Sequence, residues 1–202
     1  MILARRGVAL AGLALLLAGA SVPRGTATAA TAGGEHVIGD PNAPVTIIEY
    51  ASLSCSHCAT FHRETLPKLK ERYIDPGKVR LVFRDFPLEQ NAFTAAMLAR
   101  CAGPERQGRF VDVFFAQQER WARARDPVAA LKQLARLGGL GEPEIEACLA
   151  DKAVDDAVLR SAFEGRDKHG VRSTPTFVIN GKSYPGALAI DEIAGIVDPL
   201  LR

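Results

Sequence analysis

The spacing of apolar residues changes period several times along this chain. Val45 to Ala51 is short, rich in β-branched residues and almost continuously apolar, which predicts a strand covered on both faces. Ala59 to Tyr73 has helical spacing interrupted near Pro67, and Val79 to Phe83 returns to strand character after the turn residues Asp75-Pro76-Gly77. From Glu89 to His169 the pattern is helical, with breaks near Gly103-Pro104, Asp126-Pro127, Gly138 to Pro143 and Asp151. Thr176 to Ile179 is again a strand. Asn180-Gly181 supplies a tight hairpin turn and Lys182 to Tyr184 its partner strand. Ile190 to Leu201 closes the chain as a helix with Ile190, Ile193, Ala194 and Val197 on one face. The order is βαβ, helical block, ββα. Gly33 to Pro44 reads as an arm, because Gly39-Asp40-Pro41-Asn42 is turn chemistry.

The beginning of the chain reads differently. Arg5 and Arg6 precede an uncharged apolar run from Val8 to Ala20, followed by small residues, with Ala18-Gly19-Ala20 and Ala27-Thr28-Ala29 as cleavage points. Residues 1–31 are therefore expected to be a signal peptide and flexible N-terminus. An uncleaved anchor and the twin-arginine route are the alternatives, whereas a lipoprotein would need a cysteine after Leu16-Leu17-Ala18-Gly19. Removing this segment leaves roughly 170 residues, enough for one domain with a substantial core or a small domain with an insertion. Charge points to no partner class: 25 basic residues face 23 acidic ones, and losing Arg5, Arg6 and Arg24 leaves the chain essentially neutral. With no basic stripe and no aromatic-basic alternation, nucleic acid is not an expected partner.

The chemistry lies in Cys55-Ser56-His57-Cys58, between a strand and a helix. A helix N-terminus stabilises a thiolate through its dipole and free N–H groups, so Cys55 is expected to be the exchanging sulfur. Cys58, about one turn further in, is expected to be more buried and to resolve. A structural zinc site would need a second ligand pair, and Cys101 and Cys148 stand apart from each other. Cys101 follows Phe93 and Met97 at four-residue steps and Cys148 shares a face with Ile145 and Leu149, so both point into apolar packing. In an oxidising compartment they are expected to pair, with about 4 kcal/mol of loop-entropy stabilisation; two inert buried thiols are the alternative. Trp121 reads as a packing residue of the helical block.

Three separated segments resemble one family. They are Ile47-Ile48-Glu49-Tyr50-Ala51 leading into the cysteine pair, Phe83-Arg84-Asp85-Phe86-Pro87-Leu88, and Thr174-Pro175-Thr176-Phe177-Val178-Ile179-Asn180-Gly181. From about His36 to the C-terminus the chain resembles the exported DsbA-type thiol-disulfide oxidoreductases. The resemblance implies an α/β class, a thioredoxin-like fold interrupted by an α-helical insertion domain. Residues 36–88 would be the first thioredoxin-like part, 89–169 the insertion and 170–202 the second part. The chain departs from the best-known members at Ser56, where they carry proline, and the residues between the cysteines help set the reduction potential.

The resemblance also implies roles for single residues. Pro175 would be a cis-proline against the sulfurs, offering no N–H to compete for the thiolate, and Thr174 would expose backbone for strand addition by an extended substrate. Glu49 matches the buried carboxylate beneath the site, where a carboxyl in apolar surroundings has a raised pKa and relays a proton to or from Cys58; a solvent-facing strand residue is the alternative. His57 can stabilise the Cys55 thiolate, making the disulfide more oxidising. A copper or zinc site of Cys55, His57, Cys58 and His62 is disfavoured by helix geometry.

The function implied is a monomeric periplasmic oxidase needing no small-molecule cofactor and no metal. It would introduce disulfides into exported proteins with free thiols and be reoxidised by a quinone-linked membrane partner of the DsbB type. The competing readings are a disulfide isomerase or reductase kept reduced, although the segment before Val45 is too short for the dimerisation domain such isomerases usually add, and a metal-binding protein.

Overall fold

A computed structural model describes residues 35–202; the expected signal peptide, its arginines and its cleavage points lie outside the described residues. Strand β2, Val45–Ala51, has the expected bounds and occupies the centre of a five-stranded sheet. It runs parallel to β3, Val79–Asp85, and antiparallel to β4, Thr176–Ile179. A central strand has both faces covered, which is why β2 is apolar nearly throughout. An edge strand β1, His36–Ile38, pairs with β3, and β5, Lys182–Pro185, pairs with β4, so the order is β1-β3-β2-β4-β5.

Part of the expected N-terminal arm is thus a strand. Its three residues are too few to display a period, and Gly33-Gly34 and Gly39 flank them. Strand β3 continues past Phe83 to Asp85 because Asp85 is buried and its carboxylate accepts from Arg100 Nε at 2.6 Å. Burial pushes the Asp85 pKa up and the Arg100 guanidinium opposes it.

The first helix begins at Ser56, not Ala59, so the cysteine pair lies in its opening turn. Helix α1, Ser56–Thr60, passes through a π-turn, Phe61–Thr65, into α2, Leu66–Leu69, and a second π-turn, Lys70–Ile74. Pro67 does not interrupt it. The preceding turn widens, with Leu66 N–H bonded to Phe61 O, and Pro67 falls at the start of α2, where its missing N–H removes little.

Between β3 and β4 lie α3, Gln90–Cys101; α4, Pro104–Ala116; α5, Gln118–Ala122; α6, Pro127–Leu137; α7, Glu142–Ala150; and α8, Lys152–His169. The expected breaks are present, with one more at Gln117. Glu89, Asp126 and Asp151 accept N–H groups at the starts of α3, α6 and α8, satisfying donors that a helix leaves open. Gly170 ends α8 at φ 64°, a left-handed position suited to glycine. The closing helix is shorter than expected: α9, Ile190–Val197, tightens to a 3₁₀ turn at Asp198–Leu201, which contains Pro199.

One apolar cluster joins the helical block to the sheet, with Leu53, Cys58 and Phe83 packed in the same core as Phe110, Phe114, Trp121 and Leu131. Trp121 is buried and its Nε1–H donates to Phe114 O at 2.8 Å, as a packing residue should. Cys101 and Cys148 are disulfide-bonded with Cα atoms 6.0 Å apart, tying α3 to α7. A second cluster, on the same face of the sheet toward the other end of β2, packs Phe61, Leu69 and Tyr73 against Phe177, Ile193 and Val197, and the opposite face carries Tyr50, Val171 and Val178. Among the described residues no helix is long and apolar enough to cross a membrane.

Candidate active site

The turn after β2 sets the position of the first thiol. Ser52 Oγ accepts the backbone N–H groups of Ser54 and Leu88, and Ser52 O accepts Cys55 N–H at 3.0 Å. This places Cys55 at the N-cap of α1 in an extended conformation, with no side-chain capping bond of the usual kind. The backbone N–H groups of His57 and Cys58 point toward its sulfur instead. Cys55 Sγ also lies 3.2 Å from the carbonyl oxygen of Thr174, and the Thr174–Pro175 bond is cis. The structure therefore brings Cys55, Cys58, Thr174 and Pro175 together.

The two thiols are free and unlike each other. Cys55 retains 9% exposure and Cys58 none. A hydrogen bond from the Cys58 thiol does most to lower the Cys55 pKa; burial opposes it, and Thr174 with the two backbone N–H groups brings the value to about 5. Burial drives the Cys58 pKa strongly upward, reinforced by its hydrogen bond to Cys55 and the negative charge of Glu49. At neutral pH the pair is a thiolate and a thiol. That is the asymmetry thiol exchange uses, with one sulfur ready to react and one held back.

Glu49 is fully buried, but its surroundings are not purely apolar. His62 Nε2–H donates to Glu49 Oε2 at 3.0 Å, while Glu49 Oε1 has no hydrogen-bond partner. The other imidazole nitrogen, Nδ1, faces Asp112 Oδ1 at 3.9 Å. Burial alone would lower the His62 pKa, but Glu49 and Asp112 outweigh it and lift the value to about 9. The His62 ring in turn holds Asp112 below the ordinary carboxylate range.

His57 stands exposed, and the lowering of the Cys55 pKa from position 57 comes through its backbone N–H. Among the described residues no group of three or more histidine, cysteine or acidic side chains is placed to hold a metal, and His62 is engaged by Glu49. Sequence reasoning missed two neighbours of the site. Gln118 on α5 donates through Nε2 to the carbonyl oxygens of Leu53 and Cys55, and Asp112 on α4 faces His62. Neither has a local sequence signature. His62 does have one: it follows Cys58 by four residues and so shares its helix face.

These features define a thioredoxin-like fold with inserted helices and a dithiol at the strand-to-helix turn. A family model described as thioredoxin matches residues 31–199, and the chain belongs to the thioredoxin family. The crystal structure of Wolbachia pipientis alpha-DsbA1 is similar with a TM-score of 0.76 and 32% identity, covering 83% of this chain and 91% of that one. Bacillus subtilis BdbD, at 23% identity and a TM-score of 0.73 over 83% of this chain and 92% of its own, shares the fold. A Rickettsia felis protein named as a protein-disulfide oxidoreductase is 33% identical over 170 residues, 83% of this chain and 60% of that protein. The chain thus spans about three-fifths of the length of the Rickettsia relatives it matches.

Proposed function

We propose that this protein is a thiol-disulfide oxidoreductase that introduces disulfides into exported proteins. The observation that carries the reading is the unequal thiol pair: Cys55 lowered to about 5 at a helix N-cap and Cys58 buried beside it. Stabilising the Cys55 thiolate stabilises the reduced enzyme, so its disulfide is a strong oxidant. The likeness to alpha-DsbA1 and to the Rickettsia relatives supports the same chemistry.

In the oxidised enzyme a substrate thiolate attacks Sγ of Cys55. The Cys55–Cys58 bond breaks, Cys58 leaves as a thiolate and takes up a proton, and a mixed disulfide joins the substrate to Cys55. The substrate's second thiolate then attacks its own sulfur in that bond and expels Cys55. The substrate loses two electrons and the enzyme gains them as a dithiol. Thr174 and Pro175 receive the extended substrate segment beside Cys55, and the Thr174 backbone pairs with it. Glu49 exchanges the proton with Cys58, and His57 supports the Cys55 thiolate through its backbone N–H. A quinone-linked membrane protein of the DsbB type returns the enzyme to the disulfide. The arginines and apolar run of residues 1–31 support export to the periplasm.

The deciding experiment equilibrates the pair with glutathione buffers and measures the reduced fraction. An oxidase gives a potential well above the roughly −270 mV of thioredoxin. A value near that of thioredoxin would overturn the oxidase reading in favour of a reductase. Activity in refolding a scrambled disulfide protein, without net oxidation, would mark an isomerase.

A further inference from the structure

Cys58 must gain a proton when the disulfide opens and lose one when it closes, yet it has no contact with water. The negative charge of Glu49 acts on its thiol. Glu49 is itself completely buried and has one oxygen, Oε1, without a hydrogen-bond partner. A carboxylate in that position can accept a proton but cannot pass it to solvent.

Beyond Glu49 the structure holds a way out. His62 stands between the two: its Nε2 bonds Glu49 Oε2 at 3.0 Å, and its Nδ1, buried and without a hydrogen-bond partner, faces Asp112 Oδ1 at 3.9 Å, a gap that a small side-chain movement closes. The His62 side chain is 5% exposed and that of Asp112 is 59% exposed, so the line runs from the sealed interior to water. It also leaves the thioredoxin-like part of the chain, because Asp112 belongs to the inserted helix α4. We propose that His62 and Asp112 carry the proton of Cys58 between Glu49 and solvent, so that His62 changes charge each time the site changes redox state.

This inference rests on the exchange chemistry proposed above, and the proton count closes over both half-reactions. In the reduced site Cys58 is a thiol, Glu49 a carboxylate and His62 an imidazolium. On oxidation the Cys58 proton passes to Glu49 Oε1 as its sulfur bonds to Cys55 and expels the leaving thiolate. The His62 imidazolium, no longer facing an anion, releases its Nδ1 proton past Asp112 to water. On reduction Glu49 reprotonates the Cys58 thiolate, and His62 takes a proton back from the Asp112 side. One proton leaves and one returns, with neither the ring nor the carboxyl having to turn over. His36 on β1 also faces the imidazole, and burial lowers its pKa below the ordinary value, so it stands there as a neutral ring. Lys70, at the start of the second π-turn, places its positive charge on Asp112, the group at the solvent end.

The test compares the His62 ring in reduced protein and in protein oxidised with diamide, by nitrogen-15 NMR at pH 7. His62 should be charged in the first and neutral in the second; the same protonation in both would overturn the relay. A kinetic arm follows the glutathione adduct at Cys55 as Cys58 resolves it. His62→Gln keeps a donor for Glu49 but cannot change charge, and should slow resolution on the order of tenfold to a hundredfold and flatten its pH profile. Asp112→Asn should slow it in the same direction and increase its solvent isotope effect. Resolution at the wild-type rate in both variants would also defeat the proposal. Failure of wild-type protein to form the adduct would defeat the exchange reading instead, while the NMR comparison still decides the relay.

Discussion

The side-chain amide of Gln118 donates to the carbonyl oxygen of Cys55 at 3.0 Å, so a helix of the inserted block holds the backbone that carries the reactive thiol. The same nitrogen reaches Leu53 O at 2.7 Å. One NH₂ group therefore saturates two buried acceptors in the turn between strand β2 and helix α1.

Gln118→Ala removes both bonds: Leu53 O loses its Gln118 donor in a buried turn, while Cys55 O keeps the bond from Ala59 N–H at 3.1 Å. The cost should be about 2 kcal/mol, read as a lower urea midpoint with an unchanged slope. Gln118→Glu should be worse, because it replaces the donor with an acceptor and buries charge. An unchanged midpoint in both variants would mean that the turn holds itself.

The unequal exposure of the two sulfurs separates their variants. Cys58→Ser should leave Cys55 able to form mixed disulfides, which accumulate because nothing resolves them. Cys55→Ser should form none and should lose oxidation of reduced test proteins. Mass spectrometry of adducts trapped with a reduced substrate distinguishes the two; adducts on the Cys55 variant alone would reverse the assignment.

Cys55 sets a pH dependence with a definite sign. Its pKa falls from an ordinary 9.0 to about 5 in the folded protein, so the stabilisation it gives the reduced form is complete above about 9. That stabilisation declines as pH is lowered and is gone below about 5. The disulfide form lacks this titration. The stability of reduced protein relative to oxidised protein should therefore fall as pH drops from 9 to 5, as thermal melts of the two forms across that range will measure. A difference that is flat or grows toward acid would place the Cys55 pKa elsewhere.

The Cys101–Cys148 bond should be structural. Replacing both residues with alanine releases a long loop in the unfolded chain and should cost roughly 4 kcal/mol. Dithiol oxidation should survive at a temperature where the variant stays folded. Complete loss of activity in a folded double variant, or mapping of Cys101 to Cys55 or Cys58, would make the bond part of turnover.

What could be read from the sequence followed how locally each feature is determined. Strand β2 was legible to the residue because a central strand needs apolar side chains on both faces, and the same run pointed to the burial of Glu49. Helix faces pointed Cys101 and Cys148 into the core, but their pairing rested on an oxidising compartment, and two inert thiols fitted the same spacing. The start of the helix at Ser56 did not show, because Ser56, His57 and Cys58 have no apolar period and the π-turns break the spacing that would reveal one. Pro67 looked like an interruption because a widened turn is invisible in composition. Gln118, Asp112 and the partner of His62 are tertiary contacts between distant segments, and each type of side chain would look equally ordinary on a solvated helix.

Thr174 meets Cys55 across 119 residues of chain, and β4 beyond it supplies one flank of β2. As the chain emerges from its N-terminus, both cysteines are present while the strand and the carbonyl that complete their surroundings are still to come. The redox pair therefore acquires its finished environment only with the final segment, and such long-range pairing is slow to form. A chain released just after His169 would carry the full cysteine motif yet lack the Thr174 contact that helps shape Cys55. The last thirty or so residues add the Thr174 side of the site to a pair whose inequality comes mostly from Cys58 and the opening turn of α1.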